Sequence, residues 1–250
     1  MAWSSRDPAN PGWSGVPSLA GPATPSGPAE TIYTPDGTTV TIGSESSGIR
    51  TVSGGGLPDD CVLFDPDEQV SIVSDSGNGR WELTIAVSVT SAHFGPHNHG
   101  NWWIAGPALI FKGSTAHDTY IEVKDCTFVD PDTQHTNNRF TICGLNMGTD
   151  DYCQGPVIYA GANKRSAVYD YRNGSLQTIE TLTAVVFPVT LKLGFEANPA
   201  TTPIDTDAIT VINGGSDITS DRGFAIGANF AIALSGFAGV YHFGDITLKL

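Results

Sequence analysis

The chain has 250 residues, including 29 glycines and 16 prolines, and only 15% of them are charged. This composition favours β structure and turns over long exposed helices, which are rich in Glu and Lys. The formal net charge is −14 with only 12 Lys and Arg, which excludes a nucleic-acid-binding surface built from clustered basic residues. No run of about 20 apolar residues occurs, so insertion into a membrane is not expected.

Residues 1–37 are predicted to form an extended, Pro/Gly-rich N-terminal arm. The first 35 residues hold seven of the 16 prolines and show no hydrophobic periodicity, which is typical of an extended segment without a core of its own. Trp3 and Trp13 are the expected subunit-docking anchors, because an aromatic ring in a neighbour's pocket buries a large area at little entropic cost. The alternative is a flexible tail.

Residues 38–250 are predicted to form one all-β domain. Short β runs alternate with turn residues. For example, 38–43 and 47–56 are expected to form a hairpin or an edge pair, and Asn173-Gly174 suits the tight turn of a second hairpin. About a dozen strands without an amphipathic helix predict an antiparallel double-sheet jelly-roll sandwich.

Residues 80–110 contain the strand on which the prediction is centred. Trp81, Leu83, Ile85, Val87 and Val89 fall on one face with a period of two, which indicates a strand with one face on the core.

Two other strands carry irregularities. In the last run, 239–250, the aromatic and aliphatic residues share a face only if Gly244-Asp245 adds one residue, which predicts a β-bulge. In the run 182–196, Pro188 suggests an edge position or a bulge.

The run 119–129 shows regular alternation, so Glu122 and Asp125 are expected on opposite faces of that strand.

An acidic turn and four cysteines raise questions of metal binding. Asp59, Asp60, Asp65, Asp67 and Glu68 lack the spacing of a calcium loop, so a solvated turn is predicted. The cysteines lack CxxC spacing, which argues against zinc. Cys143 and Cys153 either bridge a loop in an oxidising compartment or, with Cys61 and Cys126, are small buried apolar side chains.

The loop 91–103 collects histidine, asparagine and tryptophan. His97 and His99 lie two residues apart, so on an extended backbone both imidazoles face the same way and can share a metal ion. Asn98, Asn101, Trp102 and Trp103 combine hydrogen-bonding groups with stacking rings, as a glycan or protein partner requires. The alternatives are a solvated loop and core packing of the tryptophans.

Two segments carry a resemblance to a known fold family. The strand W-E-L-T-I-A-V at 81–87 and the closing strand V-Y-H-F-G-D-I-T-L-K-L at 240–250 resemble concanavalin A-like and laminin G-like jelly rolls. This resemblance implies glycan binding. A Pro-rich arm in front of such a sandwich is similar to the organisation of bacteriophage virion accessory proteins.

Catalytic motifs are absent from the sequence. There is no E-x-D-x-E triplet, which glucanases of this fold carry to place nucleophile and acid on one strand, and no G-x-S-x-G, phosphate-binding loop or dinucleotide fingerprint. The chain is therefore predicted not to be an enzyme. No cofactor is expected apart from the metal ion considered at His97 and His99.

The function predicted from the sequence is that of a virion structural protein: a capsid-decoration, fibre or tail accessory protein. It would dock through its arm on other virion proteins or on copies of itself as a homo-oligomer, and adhere to surface glycans. No secretory signal is seen at the start, so assembly in a host cytoplasm is expected. The alternative is a secreted carbohydrate-binding protein or glycosidase.

Overall fold

The computed structural model describes residues 29–86, 107–112, 119–129, 139–146, 152–159, 166–172, 175–182, 185–195, 208–213, 216–220, 230–236 and 239–250. Within these ranges the regular structure consists of β-strands that pair antiparallel in two sheets, without a helix. The predicted all-β, double-sheet sandwich is confirmed. The strands, in chain order, are β1 Thr31–Tyr33, β2 Thr41–Ile42, β3 Ile49–Ser53, β4 Val62–Phe64, β5 Val70–Asp75, β6 Arg80–Ile85, β7 Ala108–Lys112, β8 Thr119–Phe128, β9 Arg139–Asn146, β10 Tyr152–Tyr159, β11 Ala167–Arg172, β12 Ser175–Thr181, β13 Val189–Phe195, β14 Ala208–Asn213, β15 Ser216–Ser220, β16 Phe230–Gly236, β17 Gly239–Phe243 and β18 Ile246–Lys249.

In both sheets, a strand from near the end of the chain lies at the centre. The first sheet has the order β15-β14-β13-β8-β17-β6-β5, with β18 also beside β8 and β1 beside β18. The second has the order β12-β11-β10-β9-β16-β7-β4-β3-β2. In each sheet a strand from near the end of the chain, β17 or β16, therefore lies between strands from earlier in the chain.

The core lies where the apolar faces of the two sheets meet. Trp81, Leu83 and Ile85 of β6 are buried at 0 to 2% exposure, and they join Leu109 of β7 and Ile142 of β9 in one apolar cluster. The alternation predicted for β6 is confirmed over Trp81 to Ile85. Val87 and Val89 lie outside the described residues.

Trp81 connects this core to the first hairpin. Its indole Nε1 donates a hydrogen bond to the Gly55 carbonyl at 2.8 Å, and its ring stacks on Phe243 with centroids 5.6 Å apart. The predicted pairing of 38–43 with 47–56 is confirmed by β2 and β3, where Thr41 faces Ser53. The glycine run that follows β3 thus meets the largest core side chain.

The extra residue predicted at Gly244-Asp245 is present, since Tyr241 and Phe243 are buried before it and Ile246 and Leu248 after it. It is matched by an extra residue in β8, so the register with β8 stays unbroken. Both β17 and β18 pair with β8, on either side of Gly244-Asp245. Relative to β13, β8 holds one extra residue between Val123 and Cys126. The two irregularities are joined by backbone bonds: Gly244 N–H donates to the Lys124 carbonyl at 2.8 Å, and Lys124 N–H donates to the Asp245 carbonyl at 3.0 Å.

The bulge in β8 corrects the expected placement of Asp125. Ile121 and Val123 point into the core before the bulge, and Cys126 does so after it, so the inward positions shift from odd to even numbers. Asp125 is exposed and lies on the outer face, as Glu122 does. The expectation that these two acids occupy opposite faces is wrong, because it assumed unbroken alternation.

The acidic turn after β4 is not entirely solvated. Asp65 has 0% exposure, accepts from Arg50 Nη1 at 3.0 Å, and accepts the backbone N–H groups of Gln69 at 2.8 Å and Val70 at 3.1 Å. Asp59, Asp60, Asp67 and Glu68 are exposed, as predicted. Asp65 is buried because one cation and two turn amides replace its water.

Three of the cysteines have described side chains, and all three are buried in the sandwich. Burial, with a smaller contribution from the Asp60 charge, raises the pKa of the Cys61 thiol to about 12. Burial also raises the pKa of Cys126 well above its usual value. These two residues are neutral thiols at physiological pH, as expected for small apolar core groups; the side chain of Cys153 lies outside the described part of the structure.

The chain joins the first sheet before residue 37. Thr31–Tyr33 forms β1 and pairs with β18, Tyr33 packs against the core, and the Tyr120 hydroxyl donates to the Glu30 carboxylate. Residues 1–28, with Trp3 and Trp13, lie outside the described residues, so the docking arm stays a prediction.

Two truncations should show how much residues 1–28 and strand β1 each contribute to stability. Removing residues 1–28 keeps every described contact, so we expect the thermal midpoint to stay unchanged. Removing residues 1–35 deletes β1 and the Tyr33 packing, and should cost about 1.5–3 kcal/mol, the value of one large apolar side chain. Calorimetry of both proteins provides the measurement, and equal midpoints would show that β1 contributes nothing.

Candidate functional site

The site residues predicted from the sequence fall in one segment of the chain, 97–103. The metal ligands His97 and His99 and the partner-binding residues Asn98, Asn101, Trp102 and Trp103 all lie outside the described residues. Among the described residues, no group of three or more His, Cys, Asp or Glu side chains is arranged to hold a metal ion. Within the same ranges, no helix is long and apolar enough to cross a membrane.

A cleft of about 310 Å³ opens on the outer face of the first sheet. It lies over β8 and β17, between the turn that precedes β6 and the segment that precedes β13. We call it the outer-face cleft. Its lining consists of Asn78, Gly79, Arg80, Asp125, Thr127, Phe187, Pro188, His242 and Gly244.

A polar row crosses the floor of the outer-face cleft. His242 of β17 lies directly opposite Glu82 of β6 and Thr127 of β8. Its neighbours Tyr241 and Phe243 point into the core, so alternation turns the imidazole outward. His242 Nε2 lies 2.8 Å from Glu82 Oε2, with side-chain exposures of 8% and 41%. This hydrogen bond fixes the ring against the sheet and leaves the Glu82 carboxylate partly in solvent.

Asp125 enters the outer-face cleft through the bulge in β8. Its φ is +53°, in the left-handed region that non-glycine residues seldom adopt. Bulges re-aim side chains and are frequent beside functional sites. Here the bulge places an exposed carboxylate next to Gly244, where an added Cβ atom would lie 3.5 Å from Asp125 Oδ2. Gly244 and the Asp125 carboxylate are therefore close neighbours in the lining of the cleft.

The turn from β5 to β6 forms one wall. The Asp75 carboxylate accepts the Gly77 N–H at 2.9 Å, and it also accepts the Asn78 side-chain amide. The Asn78 hydrogen bond, with a contribution from the Arg80 charge, lowers the pKa of Asp75. The ionised Asp75 therefore holds the turn in shape and presents Asn78 and Arg80 to the cleft.

The opposite wall is apolar. The Phe187–Pro188 peptide bond is cis, and the Phe187 ring meets the Phe128 ring edge-on at 5.1 Å between centroids. Val129 and Val186, which adjoin these two rings in sequence, are 45% and 60% exposed.

The arrangement offers both kinds of contact that a hydroxylated ring makes. Asp125 accepts hydrogen bonds, Arg80 donates them, and Asn78 and Thr127 do both, while Phe187 and Pro188 supply an apolar wall. Pockets that combine an apolar wall with a few convergent polar groups are the usual binding sites for small molecules.

The outer-face cleft was not predicted from the sequence, although two signals pointed to it. The spacing of three residues between Val123 and Cys126 breaks the period of two and indicates a bulge near Asp125. The predicted bulge at Gly244-Asp245 required a matching irregularity in its partner strand. The contact of His242 with Glu82, 160 positions apart, left no local pattern to find.

No protein-family model matches the sequence, and no curated protein matches it. Among solved structures, the bifunctional GH43-CE protein of Bacteroides eggerthii superposes with a TM-score of 0.54 at 11% identity, covering 78% of this chain and 26% of that one. The GH43 protein BlXynB of Bacillus licheniformis, in a mutant form, gives 0.51 at 12% identity, covering 77% and 37%.

A third match comes from a phage protein. The CBM2 module of the evolved Dit of Lactobacillus casei BL23 phage J-1 gives a TM-score of 0.38 at 10% identity, covering 57% of this chain and 68% of that one. The first two matches show a shared β-sandwich fold, and the chain spans well under half the length of each of those proteins.

These matches correct the prediction that the chain is not an enzyme. That prediction is wrong because it took the motifs missing from the sequence as decisive. The same sandwich occurs in two GH43 proteins, so the fold itself is compatible with a glycosidase.

Proposed function

We propose that the chain binds carbohydrate in the outer-face cleft. The observation that carries this proposal is the position of Asp125, an exposed carboxylate that a left-handed bulge aims into a cleft with an aromatic wall. A residue held in a sparsely populated conformation persists only where the surrounding structure enforces it. In β8 that enforcement comes from the paired bulge of Gly244-Asp245.

The cleft matches the two-sided chemistry of sugars. A sugar ring has apolar C–H faces that pack on aromatic or proline rings, and hydroxyls around its edge that accept and donate hydrogen bonds. Phe187 and Pro188 can pack against the C–H faces of a sugar ring. Asp125, Asn78 and Arg80 can form hydrogen bonds with its hydroxyls. His242, fixed by Glu82, adds a rigid polar group on the floor.

Binding should depend on the Asp125 carboxylate. The substitution Asp125→Asn keeps the size of the side chain, and Asn tolerates positive φ nearly as well as Asp. We expect the affinity for a bound oligosaccharide to fall at least about tenfold, because a hydrogen bond to a charged group contributes about 1.5–3 kcal/mol. A glycan array identifies the ligand, and titration calorimetry measures its affinity.

The chain provides a matched control for this variant. Glu68 is also acidic, exposed and held at a φ of +53°, but it does not line the cleft. Glu68→Gln should leave glycan affinity unchanged. Equal effects of the two substitutions would exclude the outer-face cleft as the site, and an array without any bound glycan would refute carbohydrate binding. Chromatography of the sugar after incubation distinguishes binding from hydrolysis.

A role in a virus particle remains a proposal from the sequence. It rests on the Pro-rich residues 1–28 with Trp3 and Trp13, which we propose dock on other virion proteins or on a second copy of the chain. Comparing the oligomeric state of the intact chain with that of the chain lacking residues 1–28 tests self-association. The secreted carbohydrate-binding protein or glycosidase stays the alternative.

A further inference from the structure

We infer that the outer-face cleft takes the end of an uncharged glycan through a pair of neighbouring hydroxyls, and that it rejects acidic sugars. This inference rests on the proposed carbohydrate binding and names the class of sugar. It follows from the balance of charge in the cleft, the arrangement of donors and acceptors, and the size of the space.

The positive charge of the cleft is already compensated. Arg80 is the one Lys or Arg among the described lining residues, and it lies directly opposite Asp75 at the end of the β5–β6 pair. Asp75 is held ionised by its hydrogen bonds from Asn78 and Gly77, and its pKa is lowered further by the charge of Arg80. Arg80 therefore offers N–H groups to a ligand without a surplus of positive charge.

One further carboxylate lines the cleft and another lies close behind its floor. Asp125 lines the cleft and is exposed, and Glu82 lies behind His242 with 41% of its side chain exposed. The whole chain adds to this field with its net charge of −14. A uronate or a sulfated sugar would be repelled by these groups, because like charges in a partly desolvated cleft interact more strongly than in water.

The donors and acceptors suit two adjacent hydroxyls. A carboxylate presents two acceptor oxygens side by side, so Asp125 can accept both hydroxyls of a neighbouring pair. Arg80 and the Asn78 amide donate from the facing wall, which lets each hydroxyl both donate and accept. This pattern pairs both hydroxyls without requiring an ionised ligand.

The size of the cleft limits how much of a glycan it holds. Its volume of about 310 Å³ is at the lower end of the range of about 300–1,000 Å³ for small-molecule sites. The turn at Asn78-Gly79 closes one side and the Phe187-Pro188 segment closes the other. One or two sugar rings fit, as expected for recognition of a chain end.

A matched set of methyl glycosides tests this inference on the full-length chain. Methyl glucoside and methyl glucuronide differ only at C6, as do methyl galactoside and methyl galacturonide. We expect the uronide of each pair to bind at least about tenfold more weakly, a difference of about 1.4 kcal/mol. Removing either hydroxyl of one adjacent pair, in monodeoxy versions of the better neutral sugar, should lower its affinity by a similar factor.

The variant Asp125→Asn makes the test specific to charge. It should lower the affinity for the neutral glycoside. It should also reduce the difference in affinity between that glycoside and its uronide, because the repulsive charge of Asp125 is gone. Glu68→Gln should change neither the affinity nor the difference. Uronides that bind as tightly as neutral sugars, or monodeoxy sugars that all bind normally, would overturn this inference but leave carbohydrate binding intact. Failure of every glycoside and of the glycan array would overturn both.

Discussion

Replacing Trp81 with alanine is expected to destabilise the sandwich by about 3–5 kcal/mol, the usual cost of removing a large aromatic side chain from a core. The side chain is fully buried, stacks on Phe243 and bonds the Gly55 carbonyl. The substitution opens a cavity between the first hairpin and the sheet, and it leaves that carbonyl without its donor. Urea unfolding followed by circular dichroism measures the loss.

A second variant separates the two contributions of Trp81. Trp81→Phe keeps an aromatic ring against Phe243 but removes the indole N–H, so its cost should be about 1–3 kcal/mol, the penalty for an unsatisfied buried polar group plus a small volume change. If Trp81→Ala costs no more than Trp81→Phe, the ring contributes little packing and the role assigned to Trp81 in the core is incorrect.

Replacing Asp65 with alanine is expected to cost about 3–5 kcal/mol, because removing one partner of a buried ion pair leaves the other charge uncompensated. Arg50 is only 14% exposed at its side chain and its Nε already donates to the Gly43 carbonyl at 2.8 Å. The substitution also leaves the N–H groups of Gln69 and Val70 without their acceptor. Chemical unfolding provides the measurement.

Two comparisons show whether this cost arises from the buried pair. Asp59 is an exposed acid of the preceding turn, so Asp59→Ala should change stability by less than about 0.5 kcal/mol. Arg50→Met combined with Asp65→Asn removes both charges and keeps an acceptor for the turn amides, so the double variant should be more stable than Asp65→Ala alone. Equal losses for Asp59→Ala and Asp65→Ala would contradict the assignment.

The parts of the fold that could be predicted are those determined by patterns among neighbouring residues in the sequence. The alternation of Trp81, Leu83 and Ile85 is a property of neighbouring residues, and so is the odd spacing between Phe243 and Ile246 that indicates a bulge. Turn residues such as Asn173-Gly174 likewise predict the pairing of β11 with β12, in which Arg172 faces Ser175. Each of these features is dictated by a few consecutive side chains.

The features that were missed depend on which strands become neighbours. Asp65 looked like one of five turn acids, and only the approach of Arg50 from β3 shows why it alone is buried. Glu82 and His242 meet because β17 enters the sheet beside β6, which no local pattern reveals. The outer-face cleft was therefore overlooked in favour of residues 97–103, where histidine and tryptophan are adjacent in the sequence.

The central position of β16 and β17 has a consequence for how the protein is made. Until residues 230–243 have been synthesised, β6 and β8 cannot be bridged in one sheet, nor β7 and β9 in the other. Each half-sheet would expose unpaired strand edges, which are prone to aggregate. The growing chain must therefore keep both half-sheets apart from other chains until its last strands arrive, and a ribosome that stops early releases a product that cannot close either sheet.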